Sequence, residues 1–159
     1  YCGSCLKNRT IKFLGLHAIM LIFGPLSNQS LASSDTNVHF FSAQNDKHLV
    51  SFFVKIAETI NDKSVGLSDQ SSLQSMEGLL LTFNGEEDVR IWTKFMKFPI
   101  DIIFIDKKGR ISEIFHSVSP GSDKIFESVS PSRYVLEINS GEAKRFKLEK
   151  NDYIRIQSD

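Results

Sequence analysis

The sequence predicts a mainly β fold, a compact β-sandwich or barrel-like single domain with one or two short helices. Runs rich in aromatic and β-branched residues recur at 49–56, 100–105 and 133–138, and such residues are enriched in strands. Short polar segments with glycine or asparagine separate these runs, as in turns. After residue 32 the chain has no cysteine, so a hydrophobic core rather than disulfides must stabilise the fold.

The first 32 residues have the layout of a secretory signal peptide. Three basic residues precede an apolar run at 13–26, and no acidic residue occurs before Asp35. The run is about 14 residues long, within the range of a signal sequence and below the roughly 20 residues of a membrane-spanning helix. Small side chains at Ser30 and Ala32 predict cleavage between Ala32 and Ser33. A buried helix or an uncleaved anchor is the alternative.

Removal of this segment would change the charge of the chain. Residues 1–32 carry three of the 19 Lys and Arg and none of the 19 Asp and Glu, which leaves 16 basic against 19 acidic residues. The resulting net charge of −3 gives no electrostatic reason to expect a nucleic-acid partner. Cys2 and Cys5 have the spacing of a redox or metal pair, but they would be lost with the signal. No cysteine follows the apolar run to accept a lipid, so we expect a periplasmic or secreted product without a stable membrane anchor.

Two regions follow the predicted signal. Residues 33–47 are polar apart from a few apolar positions, and they predict a leader that is either flexible or adds an edge strand. The domain itself is expected at 48–159, a length that suffices for one core. Its first strand is predicted at 49–56, followed by a helical turn at 59–65 that Gly66 ends. Further strands are predicted at 78–83, 90–96, 133–138 and 153–156.

Turn signals place the remaining elements. Asn84 and Gly85 are typical of a tight turn and should close the strand at 78–83. A β-hairpin is predicted at 100–114, with Gly109 supplying the positive φ of its turn. Residues 117–132 contain two prolines, one glycine and six serines, which favours a mobile loop beside a site. Asn139 or Ser140 could cap a short helix at 142–146.

Several short stretches occur in an order and spacing that is specific to one protein family: Gly66 with Leu67, 77–83, Trp92, 99–106 with Gly109, and 133–137 with Gly141. On these residues, the segment 52–156 resembles the small exported domain known as domain of unknown function 192. The resemblance implies a compact β-sandwich or barrel-like domain with short helices at its margins. It implies no established activity.

The chain also departs from the usual pattern of this family. Ser68 stands where the family continues Gly-Leu with methionine, and no arginine follows it. Phe95 and Met96 stand where the family usually has Asn-Thr, and a cysteine often present after the hairpin is missing from 119–122. Family chemistry that depends on those polar or reactive groups is therefore not expected here.

Four residues are candidates for binding: Trp92, Asp101, Arg133 and Glu137. Arg133 and Glu137 lie four apart on one strand, about 13 Å along it, so each needs another partner. Asp101 lies in an apolar strand, where a carboxylate must be paired or protonated. The structural interpretation is an Asp101–Arg133 ion pair, with Trp92 in the core. The alternative is that Arg133 holds an anionic or polar ligand beside Trp92.

Recognisable catalytic patterns are missing from the sequence. It contains no nucleophile elbow, no zinc-protease helix motif and no phosphate-binding glycine loop. His39, His48 and His116 share no metal-ligand spacing, so neither a catalytic residue nor a metal or cofactor site is assigned. Three functions remain: a non-catalytic binding or accessory module for a small polar ligand, a hydrolase or transferase using Asp101, His116 or Glu137, and a protein-interaction module of the cell envelope.

Overall fold

The structure is a computed structural model that describes residues 36–158. The predicted signal peptide at 1–32 lies outside the described residues. The elements in chain order are β1 (Thr36–Phe41), β2 (His48–Ala57), α1 (Ile60–Val65), β3 (Glu77–Glu87), β4 (Arg90–Trp92), β5 (Ile100–Ile105), β6 (Ile111–Val118), β7 (Ile125–Glu127), β8 (Ser132–Asn139), α2 (Glu142–Arg145) and β9 (Tyr153–Ser158). Between residues 36 and 158, no helix has the length and apolar character needed to cross a membrane.

Seven strands form one mixed sheet in the order β6-β5-β8-β3-β2-β1-β9, and β4 pairs with β7 in a second, small sheet. Only β2 and β3 run parallel; every other neighbouring pair in these two sheets is antiparallel. The sheet edges approach each other through a bridge between Arg110 and Tyr153, but the sheet does not close into a barrel. The prediction of a compact, mainly β single domain with two short helices is confirmed.

Both faces of the central strands are buried, and two separate cores result. Successive side chains on a strand point to opposite faces. Leu80, Ile103 and Leu136 lie in the first core, whereas their apolar neighbours in sequence lie in the second. The first core also contains Val38, Phe40, Val50, Phe52, Ile138, Leu148 and Ile154. The second lies against the small sheet and contains Leu79, Leu81, Ile91, Ile102, Phe104, Phe126 and Val135.

Most predicted elements occur where they were expected. β2, β8 and β9 cover the predicted strands at 49–56, 133–138 and 153–156. The hairpin is formed by β5 and β6, and Gly109 in its turn has φ 77°. The predicted helical turn is α1, and Gly66 follows it with φ 53°.

The prediction for 33–47 is wrong for the part of this segment that forms β1. Residues 36–41 are neither loose nor at an edge, because β1 pairs with β2 on one side and with β9 on the other. Thr36, Val38 and Phe40 are buried on one face, while Asn37 and His39 alternate with them. The alternation of apolar and polar residues in this short segment could have predicted a strand with one buried face.

Three further boundaries differ from the prediction. Asn84 and Gly85 do not turn the chain: they lie inside β3, and the positive φ of a tight turn is absent from Gly85. The register between β3 and β8 shifts between Thr82 and Glu87, and Asn84 and Gly85 lie within this irregular part of the strand. The predicted strand at 90–96 is shortened to the three-residue β4. The predicted loop at 117–132 contains a short strand, β7, which pairs with β4. Hydrogen bonds to distant strands override the local signals.

Candidate ligand-binding cleft

A cleft of about 620 Å³ lies between α1, the segment that leads into β4, and the turn after β4. This volume is within the roughly 300–1,000 Å³ of small-molecule sites. Apolar side chains form about half of its walls, among them Leu67, Leu81, Ile91, Trp92, Phe95 and Met96, and polar or charged side chains form the rest. The cleft opens on the side of the second core.

The first wall is α1 and the two residues that follow it. Thr59 caps this helix: its hydroxyl accepts the Asp62 N–H at 3.1 Å, and the Asp62 carboxylate accepts the Thr59 N–H at 3.2 Å. Such a reciprocal cap satisfies two backbone donors that a helix end otherwise leaves free. The Gly66 N–H then donates to the Asp62 carbonyl at 2.8 Å and ends the helix. Leu67 is thereby held in the cleft wall, where it is buried.

The opposite wall is a turn held by Thr93. Its hydroxyl donates to the Ser119 carbonyl at 2.8 Å, and its own carbonyl accepts the Gly121 N–H at 2.8 Å. These bonds fix the aromatic pair Trp92 and Phe95, whose rings meet edge to face with centroids 5.8 Å apart. Trp92 is 53% exposed and Phe95 is 64% exposed. An ordered aromatic rim therefore stands at the mouth of the cleft.

The prediction that Trp92 belongs to the core is wrong. β4 has one neighbour, β7, and alternation along it turns Ile91 into the core and Trp92 outward. The Lys94 ammonium lies 5.6 Å from the Trp92 ring centroid. Trp92 is therefore accessible as a contact surface for a ligand.

Glu137 forms the polar part of the cleft floor. It lies in the middle of β8, opposite Leu79 of β3 and Ile102 of β5, and is only 6% exposed. Within residues 36–158 its carboxyl group has neither a hydrogen-bond donor nor a cation as a partner. Burial raises the pKa of Glu137 to about 7, because the ionised form loses its hydration. A Cβ placed on Gly66 would lie 3.9 Å from Glu137 Oε2, so the end of α1 faces this carboxyl group.

The basic side chains that line the cleft are engaged elsewhere. Lys63 donates to the carbonyls of Glu58 at 2.6 Å and Thr82 at 2.8 Å. Arg90 pairs with Glu127 across the small sheet at 3.0 Å. The acidic lining residues are Glu137 and two on the exposed rim, at 87 and 88. Among the described residues, the three carboxyl groups of the cleft form no ion pair, and Lys63 is the lining cation whose charge no carboxylate pairs with.

Asp101 lies on the opposite face of the sheet and has no solvent exposure. One oxygen accepts the Ser117 N–H at 2.7 Å, and the other accepts the N–H groups of Gly141 and Ala143, both at 3.0 Å. Asp101 thus caps α2, whose own N-cap residue, Gly141, offers no side chain. The predicted cap by Asn139 or Ser140 is wrong, because a residue about 40 positions earlier supplies it.

The predicted ion pair between Asp101 and Arg133 is also wrong. The antiparallel register places Asp101 opposite Ile138, five residues along β8 from Arg133, or about 17 Å. The Arg133 guanidinium lies 5.6 Å from the Tyr134 ring centroid, and its Nη1 is buried without an acceptor in the described structure. Neither Asp101 nor Arg133 lines the cleft. Of the four candidate binding residues, the structure brings together Trp92 and Glu137.

The residues considered for catalysis do not converge. Asp101 and Glu137 lie on opposite faces of the sheet, and His116 lines a separate depression of about 300 Å³. His39 and His48 approach one hydroxyl, that of Ser51, at 2.7 and 2.8 Å. Between residues 36 and 158, no three His, Cys, Asp or Glu side chains lie close enough together to hold a metal ion.

Sequence reasoning did not assign the other residues of the cleft. They come from four separate segments, so no single motif contains them. One feature of the sequence could have indicated the cleft. The chain departs from the usual family pattern at Ser68, Phe95 and Met96, and all three residues line this cleft. These three departures therefore change the shape and polarity of the cleft, and Met96 also packs against the second core.

Comparison with known sequences settles the family. Residues 41–156 match the family DUF192, described as an uncharacterized ACR. This chain belongs to that family. The suspected resemblance to domain of unknown function 192 is confirmed over nearly the whole described domain. Among the curated proteins no match was found.

Solved structures share the fold. A crystal structure from Sinorhizobium meliloti 1021, described as a candidate transcription regulator, is 27% identical, with a TM-score of 0.72 over 79% of this chain and 95% of that chain. A protein of unknown function from Novosphingobium aromaticivorans DSM 12444 is 24% identical, with a TM-score of 0.70 over 75% of this chain and 83% of that chain. The DUF192 domain described here thus has the architecture of these two proteins.

Proposed function

We propose that this DUF192 protein is an exported, non-catalytic binding module whose site is the cleft above Glu137. The observation that carries the proposal is a largely buried carboxyl group, on the floor of a half-apolar cleft, that no donor or cation of residues 36–158 meets. Burying such a group costs free energy unless a partner compensates it. Groups of this kind are found preferentially at functional sites, where a ligand supplies the missing interaction.

Binding is favoured over catalysis by the surroundings of Glu137. Acid–base chemistry usually needs a second positioned group within hydrogen-bond reach of the substrate. Asp101 is committed to three backbone donors on the other face of the sheet. His116 lies in the separate depression. The hydrolase or transferase alternative, which requires these groups to converge, therefore lacks geometric support.

Export is the second part of the proposal and is supported by the N-terminal sequence. Basic residues, an apolar run at 13–26 and small residues before Ser33 favour passage through a membrane and cleavage by a signal peptidase. Protein recovered from the periplasm or the medium of producing cells should begin at or near Ser33, as determined by N-terminal sequencing. A mature product that still carries Phe13 contradicts export by cleavage.

The cleft itself can be tested with the intrinsic fluorescence of Trp92, the single tryptophan of the chain. We expect a saturable change in this fluorescence on titration with 2-phenylethanol or 2-phenylethylamine, two small molecules of matching shape. Ser68→Phe, which places a ring in the cleft, should weaken binding by at least about tenfold. Ser71→Phe, at an exposed position outside the cleft lining, is the matched control. Absence of saturable binding by both molecules contradicts the proposal.

The exposed rim also favours a second candidate, a protein-interaction module of the cell envelope. Ile60 of α1 is 84% exposed and lines the same cleft as Trp92 and Phe95, on the opposite wall. An exposed apolar patch of this kind can dock a protein. A protein partner would contact the rim, so Phe95→Ser would weaken its complex and Glu137→Gln would leave it unchanged. A ligand held both by the charge of Glu137 and by the rim predicts loss of affinity in both variants.

A further inference from the structure

Resting on the proposed function, we propose that the cleft binds a small protonated amine that carries an aromatic or aliphatic group, with its ammonium at Glu137. Three features of the cleft support this proposal: its charge, the apolar part of its walls and its exposed aromatic rim. Each restricts the chemical class of the ligand in a different way.

Charge restricts the head group. Five charged side chains line the cleft: Lys63, Glu87, Asp88, Arg90 and Glu137. The two basic ones are directed to backbone carbonyls and to an acidic residue of the small sheet. Three carboxyl groups without an ion pair in the described residues thus stand against the one cation, Lys63, whose partners are neutral carbonyls, so the cleft disfavours an anionic ligand, while a cation would supply a counter-charge to Glu137. A charge-assisted N–H to carboxylate bond is roughly twice as strong as a neutral one.

Depth and composition restrict the rest of the ligand. Glu137 lies on the floor, and apolar side chains line the path from it to the mouth, among them Leu67, Ile91 and Met96. A small hydrated cation would leave these walls in contact with water. A ligand with an apolar body covers them, and its far end meets Trp92 and Phe95 at the rim. Apolar burial and the ion pair can then form together.

The proton competes with the proposed ligand for the same carboxyl group. Because burial raises the pKa of Glu137 to about 7, a proton occupies it in much of the protein below that pH. The other charged groups that line the cleft are Lys63, Arg90, Glu87 and Asp88. An alkylamine stays protonated throughout this range. Its affinity should therefore rise between pH about 5 and about 8 as Glu137 ionises.

The test compares three probes of nearly equal shape on the full chain: 2-phenylethylamine, 2-phenylethanol and 3-phenylpropanoate. At pH about 8 the amine should bind at least about tenfold more tightly than the alcohol, and the carboxylate should bind most weakly. Isothermal titration and Trp92 fluorescence measure the three dissociation constants. The preference for the amine should shrink at pH about 5, where Glu137 is mostly protonated.

Glu137→Gln separates this inference from the proposed function. The variant should bind the amine and the alcohol equally, because its amide keeps the shape of the side chain and removes its charge. Glu58→Gln, at an exposed glutamate outside the cleft lining, is the matched control and should keep the preference. Equal binding of amine and alcohol to the unmodified protein overturns the amine inference and leaves the binding module standing. Failure of all three probes overturns both. A preference that persists in Glu137→Gln shows that another group selects the ligand and overturns the inference.

Discussion

Two buried carboxyl groups on neighbouring strands, Asp101 of β5 and Glu137 of β8, have opposite environments. They lie on opposite faces of the same sheet, because Asp101 is aligned with Ile138 and Glu137 with Ile102. Asp101 accepts three backbone N–H groups. Glu137 accepts none among the described residues and faces a cleft.

The difference separates a structural carboxylate from a candidate functional one. The donors of Asp101 include Ser117, whose φ of 51° occurs in a bulged part of β6, and two residues at the start of α2. One side chain thus holds a strand and a helix in place. Glu137 organises no neighbouring backbone, and its desolvation opposes folding when it is ionised. Burial alone does not mark a site, whereas burial without a partner beside a cleft does.

The largest expected effect is the loss of stability in Asp101→Ala. This change leaves three N–H groups without their charged acceptor, those of buried Ala143, half-buried Gly141 and exposed Ser117, which should lower the free energy of unfolding by about 3–5 kcal/mol. Urea denaturation measures it. Asp101→Asn keeps one acceptor oxygen and should give an intermediate loss, which remains measurable if the alanine variant fails to fold.

Asp69→Ala is the matched control for this prediction. Asp69 is exposed, so its removal should change the free energy of unfolding by no more than about 0.5 kcal/mol. A loss in Asp101→Ala as small as that in the control would show that the three hydrogen bonds contribute little to folding. The distinction between the two carboxyl groups would then fail.

The second effect has the opposite sign: Glu137→Gln should stabilise the protein at high pH. The pKa of Glu137 is about 7 in the folded chain against a reference of 4.5, so between these values the folded state holds a proton that the unfolded state has released. Stability of the unmodified protein therefore falls as pH rises from about 4.5 to about 7. At pH about 8 the glutamine variant should be more stable by about 3 kcal/mol, and at pH about 4 the two should be equal.

Thermal and urea unfolding at both pH values measure this difference. Glu58→Gln, at an exposed glutamate, controls for the loss of one carboxyl group and should stay within about 0.5 kcal/mol of the unmodified protein. A Glu137→Gln variant that is less stable than the unmodified protein at pH about 8 would mean that the carboxylate has a stabilising partner. That result would remove the main argument for the cleft as a site.

Local sequence patterns predicted much of the fold but not the environment of either carboxyl group. The apolar run of β5, the turn with Gly109 and the helical turn that Gly66 ends act over a few residues, and all three could be predicted directly from the chain. The donors to Asp101 at Gly141 and Ala143 lie 40 and 42 residues away. Which donors reach a carboxylate depends on strand register, which single-sequence patterns leave open.

The same limit explains the errors at Asn84 and at Trp92. Asn84 and Gly85 favour a turn locally, but the chain here continues to β4, whose partner is β7 rather than β3. Trp92 has the size and apolarity of a core residue, but the face it presents depends on that pairing. Glu137 and Trp92 were singled out from the sequence without any means of knowing that one cleft contains both.

The smallest expected effect concerns the coupling between Asp101 and Arg133. An ion pair would make the double mutant less destabilised than the sum of the single mutants. The register instead separates the two positions by five residues along β8, and the three hydrogen bonds to Asp101 all come from backbone N–H groups. Sites this far apart without shared partners usually have additive effects, so the coupling free energy should be below about 0.5 kcal/mol.

Arg133→Ala should itself be mild, because Arg133 makes no ion pair in the described residues and its buried Nη1 lacks an acceptor. We expect a loss of about 1 kcal/mol or less, mainly from its contact with the Tyr134 ring. Urea unfolding of the two single variants and the double variant Asp101→Ala/Arg133→Ala completes the cycle, with Asp101→Asn replacing the alanine change if the double variant does not fold. A coupling of 1 kcal/mol or more, on the order measured for residues in contact, would show that Arg133 reaches Asp101 after all. Asp101 would then be an ion-paired carboxylate. It would differ from Glu137 in having a cation as its partner, and not in the backbone N–H groups that it accepts.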